Sequence, residues 1–231
     1  MNFYGLIKST LIDYPNRVSC VIFTKGCNLA CPYCHNRELI DGTDMEPYSF
    51  DDIMAHLHKR KNVLSGVVIS GGEPLLYADE LQPCIDEIHN MGYKVKLDTN
   101  GLLYDRLIGM KNIDFIAMDI KTSIDKYNLV CTHWSDTLKQ NVMNSIDYIM
   151  QSGIDYEFRT TVVPGIVDMD DICHICGKIK GAKKYSLAQF RPKNTLDKSF
   201  ENIIPYGDSF FTQAKTIVEA AGIECELRVG Y

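Results

Sequence analysis

The stretch RVSCVIFTKGCNLACPYCHN, residues 17–36, decides how the rest of the chain reads. Residues 17–24 have the β-branched, apolar character of a buried strand, and the loop behind them carries Cys27, Cys31 and Cys34. In a parallel α/β sheet all strands end on one face, and that face is where ligands bind. The same pattern recurs along the chain. Strands are expected at 67–70, 94–99, 115–120, 156–163 and 184–190, with a seventh at 223–229 after the last helix. The strand ends carry unusual residues: Gly71 to Pro74, Asp98 to Gly101, Asp119 to Lys121, Pro164 behind a strand containing Arg159, and Gln189 to Pro192.

Amphipathic stretches between these strands carry start and stop signals. Ser49 and Asp52 resemble a capping box ahead of Ile53, Met54 and Leu57. Pro83 is tolerable only in a first turn, and Gly92 suits a left-handed stop after Met91. Leu138, Val142, Ile146 and Ile149 form one helical stripe, and Ile172, Cys173, Cys176 and Ile179 form another. A last helix is expected to bury Phe210, Ala214, Ile217 and Val218. Right-handed βα crossovers force parallel pairing. Six units are fewer than the eight of a closed barrel, so the expected architecture is α/β, an incomplete (β/α)6 TIM-like barrel with an open lateral side. A doubly wound open sheet is the alternative. No Pro-, Gly- or Ser-rich linker interrupts the series, so residues 1–231 read as a single domain with its cysteine loop at 26–36.

Composition narrows the function classes. With 231 residues, 45% of them hydrophobic and 23% charged, the chain can bury one sizeable core and is neither disordered nor collagenous. No apolar run reaches the roughly 18–20 residues of a bilayer span and no signal-peptide layout opens the chain, so a cytoplasmic protein with no membrane partner is expected. A formal net charge of -6 argues against a nucleic-acid partner. Nine cysteines, an odd number, point to thiolate chemistry in a reducing compartment rather than to disulfides.

Three thiolates on one short loop can wrap a single inorganic centre, and soft sulfur ligands select iron-sulfur, zinc or copper(I). A structural zinc or an ordinary 4Fe-4S cluster takes four ligands, so three leave a position open to substrate. A zinc site completed by His35, or a cluster completed by a distant cysteine, is the competing reading. Gly71 and Gly72 let the backbone approach a ligand closely, and Glu73 can take a positively charged amine; an ordinary strand-to-helix turn would use the same residues. Asp98 and Thr99 offer hard oxygen ligands, or an Asx turn into Asn100 and Gly101. Asp119 and Lys121 suit an ion pair, and Arg159, in a strand otherwise fit for burial, needs an anionic partner. Cys173 and Cys176 read as core residues on an apolar stripe. Cys20, Cys84, Cys131 and Cys225 are isolated, and His58 to Lys61 is a basic helix end.

The CxxxCxxC loop behind the first strand and the turn Gly71 to Pro74 behind the second resemble the radical S-adenosylmethionine superfamily. Five further stretches narrow the likeness to glycyl-radical-enzyme activases: TLIDYP at 10–15, FTKGC at 23–27, LDTNG at 97–101, MDIK at 118–121 and EFRTTVVPG at 157–165. Within that group the chain is most similar to the anaerobic ribonucleoside-triphosphate reductase activating proteins, with pyruvate formate-lyase activating enzyme a close relative. The resemblance implies that Cys27, Cys31 and Cys34 hold one 4Fe-4S cluster whose open iron chelates S-adenosylmethionine. An electron from flavodoxin or ferredoxin then cleaves the cofactor to methionine and a 5'-deoxyadenosyl radical, which takes a hydrogen atom from a glycine of a partner glycyl radical enzyme.

The same resemblance assigns further roles. Gly71, Gly72, Glu73 and Pro74 would meet the cofactor amino group, and Asp98 and Thr99 would bind a monovalent cation that touches its carboxylate. Lys121 would lie near that carboxylate and Arg159 near the cofactor, while Arg191, or else Gln189, stands where a relative carries a histidine. Asp13 would contact the partner, in a segment where Tyr14 and Asn16 replace two glycines of the relatives; its plain reading is a β-turn. Only about 15 residues separate Cys34 from the next helix, too few for an auxiliary cluster. The open side of the barrel would admit an extended partner loop. Two other readings stand: a small-molecule radical enzyme such as a 7-carboxy-7-deazaguanine synthase, and a non-enzymatic iron-sulfur or zinc module.

Overall fold

The computed structural model describes residues 1–41 and 45–230. The chain divides into two compact units, the first made of Met1–Asn28, Glu38–Thr99 and Leu103–Ala117, the second of Leu29–Arg37, Asn100–Leu102 and Met118–Tyr231. In chain order the leading elements are β1 (Asn2–Phe3), β2 (Leu6–Thr10), β3 (Ser19–Thr24), α1 (Arg37–Asp41), β4 (Tyr48–Ser49), α2 (Phe50–Lys59) and β5 (Gly66–Gly71). A 3-10 turn at Pro74–Tyr77 leads into α3 (Ala78–Asn90), β6 (Lys94–Thr99), α4 (Tyr104–Leu107) and β7 (Phe115–Asp119). Behind a 3-10 turn at Ile124–Leu129 come α5 (Asp136–Gln151), β8 (Asp155–Val162), α6 (Met169–Lys178), β9 (Lys184–Gln189), α7 (Asp208–Ala220) and β10 (Glu224–Arg228). Among the described residues no helix is long and apolar enough to cross a membrane.

In the first unit β2, β3, β5 and β6 lie side by side in that order. β3 pairs parallel with β5 and β5 with β6, placing Cys20 opposite Val67 and Val67 opposite Val95. Two features depart from the expected series. β2 runs antiparallel to β3, and β1 pairs antiparallel with β4. The sequence of β2, LIKST, has too little apolar alternation to announce a strand, and in the fold it is an edge strand with Ile7 exposed. The capping box of α2 forms as expected: the Ser49 hydroxyl accepts from the Asp52 N–H at 3.1 Å and the Asp52 carboxylate accepts from the Ser49 N–H at 2.9 Å. That start places Ile53 and Leu57 in the core.

Pro83 corrects the sequence expectation, because α3 starts at Ala78 and leaves the proline inside the helix. Leu81, Cys84, Ile85 and Ile88 supply a buried face on both sides of it, which offsets the missing backbone donor.

In the second unit β8, β9 and β10 are neighbours in parallel pairing, so the seventh strand expected from the sequence is present. α7 packs on β10 and α6. Two helix faces differ from the expected stripes. Asp168 and Asp171 form a capping box that starts α6 at Met169 and turns Ile172, Ile175 and Cys176 inward, leaving Cys173 exposed. In α7 the buried aromatic is Phe211, while Phe210 stacks on Tyr206 with ring centroids 3.9 Å apart.

Both units are built of strands with two different faces. On β6, Val95 and Leu97 alternate with Lys96 and Asp98; on β8, Tyr156, Phe158, Thr160 and Val162 alternate with Glu157, Arg159 and Thr161. Strands of a parallel sheet are ordinarily apolar on both faces.

One helix position tests the described packing. Gly177 lies in α6 with open space where a Cβ would stand. Gly177→Ala is expected to raise the urea midpoint, adding about 0.5–1 kcal/mol of stability.

Candidate cofactor site

The site residues of the first unit gather where β3, β5 and β6 end. Behind Thr24, the Gly26 N–H donates to the Leu39 carbonyl at 2.7 Å, and the Gly26 carbonyl accepts from the Glu73 N–H at 2.8 Å. The Gly72 N–H donates to the Thr24 carbonyl at 3.1 Å. A Cβ on Gly72 would stand 1.8 Å from the Gly26 oxygen, and one on Gly71, at φ +134°, would stand 2.3 Å from the Thr24 oxygen. Both glycines are therefore demanded by the protein's own backbone leading into Cys27.

Glu73 is 1% exposed, and its Oε1 accepts from the Leu75 N–H at 3.1 Å and the Thr99 hydroxyl at 2.9 Å. Its carboxyl group thus caps the 3-10 turn that Pro74 opens, while tying that turn to the end of β6. Asp98, next to Thr99, accepts from the Lys96 ammonium at 2.8 Å through Oδ1 and from the Ser70 hydroxyl at 3.1 Å through Oδ2. An Asx turn forms at Asn100, where Oδ1 accepts from the Leu102 N–H at 3.0 Å. Cys27 is half-buried, its thiol 4.0 Å from Asn28 Oδ1. Asp13 accepts from the Thr10 hydroxyl at 2.6 Å, and the Arg17 N–H closes a turn on the Tyr14 carbonyl at 3.2 Å. Tyr14 is buried against Phe115, with ring centroids 5.8 Å apart, in space that opens because residue 66 is glycine.

In the second unit the rest of the cysteine loop is fastened through its backbone. The Cys34 N–H donates to the Cys31 carbonyl at 3.0 Å, the Ala30 N–H to the Val130 carbonyl at 3.1 Å, the Asp197 N–H to the Pro32 carbonyl at 2.9 Å and the Leu196 N–H to the Cys34 carbonyl at 3.1 Å. Cys31 is buried and Cys34 half-buried. The His35 ring stacks on Phe190, and its Nδ1 donates to the Lys193 carbonyl at 2.8 Å. Tyr33, between the two cysteines, is 5% exposed, and its hydroxyl has no hydrogen-bond partner among the described residues. A buried unpaired hydroxyl costs on the order of 1–3 kcal/mol, so it marks a place where something else belongs.

What stands near that hydroxyl is an ionic cluster. Asp119 accepts from Arg159 Nε at 2.8 Å and from Lys121 Nζ at 3.0 Å. Burial alone would raise the Asp119 carboxyl, but the guanidinium and the ammonium together hold it far below the usual carboxylate range. Burial likewise works against the Lys121 charge, yet Asp119, with Cys31 and Tyr33 adding to it, keeps that ammonium well above its ordinary value. Burial pushes the Tyr33 phenol up, with Cys31 adding to the shift. Lys121 Nζ has three N–H groups and Asp119 is its only hydrogen-bond acceptor among the described residues.

The structure also assembles residues that the sequence did not single out. Glu157, 1% exposed, accepts from the Ser186 hydroxyl at 2.9 Å and from Arg228 at 2.7 Å on the same strand face as Arg159. Their signal was the alternation of charged and apolar residues in YEFRTTV. Arg191 is exposed behind β9, while Gln189 is held by the Tyr206 carbonyl at 2.9 Å and the Gly230 N–H at 3.3 Å.

Among the described residues no three His, Cys, Asp or Glu side chains stand gathered as ligands of one metal ion. The donors of the loop, three thiols separated by three and two residues, fit a polynuclear iron-sulfur cluster, whose cysteines bind different irons.

The profile of the Radical SAM superfamily matches residues 21–176, which places this chain among radical S-adenosylmethionine enzymes. That membership implies a 4Fe-4S cluster and S-adenosylmethionine as cofactors. The "Putative glycyl-radical enzyme activating enzyme MJ1227" of Methanocaldococcus jannaschii is 35% identical over 208 residues, covering 86% of this chain and 84% of that one. The "Pyruvate formate-lyase 1-activating enzyme" of Escherichia coli (strain K12) is 29% identical over 177 residues, covering 72% and 70%. The chain belongs to the glycyl-radical enzyme activating enzymes. Its fold resembles that of QueE from Escherichia coli, with a TM-score of 0.62 at 13% identity over 99% of this chain and 94% of the other. At that identity the likeness concerns the α/β fold alone.

Two substitutions probe the site. Gly72→Ala forces a Cβ onto the Gly26 oxygen and is expected to lower the urea midpoint by an amount equivalent to about 3 kcal/mol or more. Asp119→Asn leaves Lys121 and Arg159 without their shared counter-charge and is expected to cost on the order of 3 kcal/mol at neutral pH. Because the native carboxyl lies far below its ordinary value, the stability from its ionisation is complete above about pH 5 and is lost as the pH falls through the acid range. Urea midpoints measured from pH 6 to pH 2 should therefore fall less steeply in Asp119→Asn than in the wild type.

Proposed function

We propose that this enzyme takes a hydrogen atom from a glycine of a partner polypeptide and leaves a stored glycyl radical there. Cys27, Cys31 and Cys34 hold the 4Fe-4S cluster. When bound, the cluster supplies the electron that splits S-adenosylmethionine, and a flavodoxin or ferredoxin is the donor.

The chain's own residues position the cofactor. The observation that carries this reading is Tyr33, whose buried hydroxyl, inside the cysteine loop, has no hydrogen-bond partner among the described residues and lies within electrostatic reach of Lys121. The Tyr33 hydroxyl and the two uncommitted N–H groups of Lys121 are donors suited to a carboxylate, such as that of an amino-acid-like cofactor. Asp119 fixes the direction of Lys121 and Arg159 while staying ionised. Gly72 and Glu73 hold Gly26, and so aim the neighbouring Cys27. Asp13 is a partner contact, and Arg191 stands on the cofactor side.

Among partners, the relatives named for one activate pyruvate formate-lyase, at 25 to 29% identity. They support a partner of the pyruvate formate-lyase kind over the anaerobic ribonucleoside-triphosphate reductase expected from the sequence. The likeness to QueE bears on fold and gives the small-molecule reading no support.

The test is anaerobic reconstitution with iron and sulfide, then reduction with dithionite in the presence of S-adenosylmethionine. Wild-type protein should release 5'-deoxyadenosine, and Cys31→Ala should retain little of the wild-type iron. Tyr33→Phe should keep its iron but bind the cofactor about fivefold more weakly, read from the cluster's paramagnetic resonance spectrum, in keeping with loss of one hydrogen bond. A glycyl doublet should appear with a pyruvate formate-lyase-type partner. Normal iron in Cys31→Ala, or no 5'-deoxyadenosine from iron-replete wild type, would overturn the reading.

A further inference from the structure

Lys96 is a lysine in the middle of a parallel strand, with its side chain 2% exposed. Its neighbours Val95 and Leu97 are apolar core, so Lys96 and Asp98 share the opposite face of β6. The ammonium donates to Asp98 Oδ1 at 2.8 Å and lies 5.9 Å from the centre of the Phe115 ring. Asp98 Oδ2 accepts from Ser70 on β5, so each carboxylate oxygen has a donor from the protein. Thr99 points its hydroxyl proton at Glu73. A buried amine needs a fixed anionic partner, and this one has it by the geometry of a single strand, two residues away.

The arrangement does not fit the monovalent metal ion that the resemblance implies at Asp98 and Thr99. A metal ion on Asp98 would have to share the carboxylate with a buried ammonium already in contact with it, and two like charges that close repel. We propose that Lys96 is the resident cation of this site. Its ammonium holds the Asp98 carboxylate and supplies the positive charge that a bound sodium or potassium ion would otherwise bring. The enzyme therefore works without a monovalent metal ion, and Lys96 is a positioning residue acting through Asp98. The part of the inference that concerns turnover rests on the function proposed above; the part that concerns ion binding does not.

The test has two arms. In the first, thallous ion, a probe for potassium sites, is titrated into the full-length protein and followed by thallium NMR. Wild type should show no saturable broadening, whereas Lys96→Ala should gain a site that potassium displaces. In the second arm, 5'-deoxyadenosine formation by the reconstituted enzyme is compared in potassium, sodium and tetramethylammonium chlorides at one ionic strength. The wild-type rate should vary by less than about twofold, the range left to general salt effects. Lys96→Ala should fall about tenfold or more in tetramethylammonium, as expected for loss of a charged hydrogen bond. Potassium or ethylammonium should restore much of that loss, and Lys96→Arg should need neither. Urea midpoints of each variant confirm folding; should Lys96→Ala not fold, the wild-type thallium titration and salt series decide alone. A saturable thallous site in wild type, or a wild-type rate that depends on potassium, would overturn the proposal. Absence of 5'-deoxyadenosine in every salt would sink the proposed function instead, with the thallium result still deciding the role of Lys96.

Discussion

The first unit turns on the buried side chain of Glu73. One carboxyl oxygen takes hydrogen bonds from Thr99 at the end of β6 and from Leu75 in the 3-10 turn, while the backbone N–H of the same residue holds the Gly26 carbonyl behind β3. Three chain segments that are far apart in sequence are thereby fixed by one residue with 1% exposure. A polar group so far from water is tolerated only because its donors are in place. The neighbouring glycines follow from this knot, since Gly72 can sit against Gly26 only without a Cβ. The position of Cys27, one residue beyond Gly26, is inherited from it.

In the second unit the corresponding part is played by Asp119, which holds one cation through each oxygen. A neutral residue there would leave two mostly buried cationic side chains without the counter-charge they share. The acid remains ionised because the attraction of Arg159 and Lys121 outweighs the burial that opposes it. The cluster is thus a rigid charge distribution, and rigid donors lose little on meeting a ligand.

Much of this was legible in the sequence, and the reasons differ by residue. The strands at 94–99 and 184–190 were readable because their apolar positions alternate, and the capping box at Ser49 because its chemistry is local. β2 was not readable, since an edge strand half open to water lacks an apolar signature. Cys173 was misplaced on a buried stripe because the inward face is fixed by the cap at Asp168, which turns Ile172, Ile175 and Cys176 to the core and Cys173 to solvent. At the site, residue types were visible while their directions were not. Gly71 and Gly72 pointed to a close approach, but only coordinates say that the approaching atoms are Thr24 and Gly26. Tyr33 was overlooked because an aromatic between two cysteines looks like core until its hydroxyl is found without a partner. Lys96 had a signal that could have been used: a lysine flanked by Val95 and Leu97 in a buried strand has no ordinary reason to be there.

The bond between Glu157 and Arg228 reaches from β8 to β10 across the intervening β9, joining residues 71 positions apart. Until β10 docks, Glu157 has, among the described residues, the Ser186 hydroxyl but not the Arg228 guanidinium to satisfy it. Contacts of such long sequence separation form late. This unit therefore cannot complete that ion pair before β10 is in place, and the strands ahead of it have to form with Glu157 still hydrated.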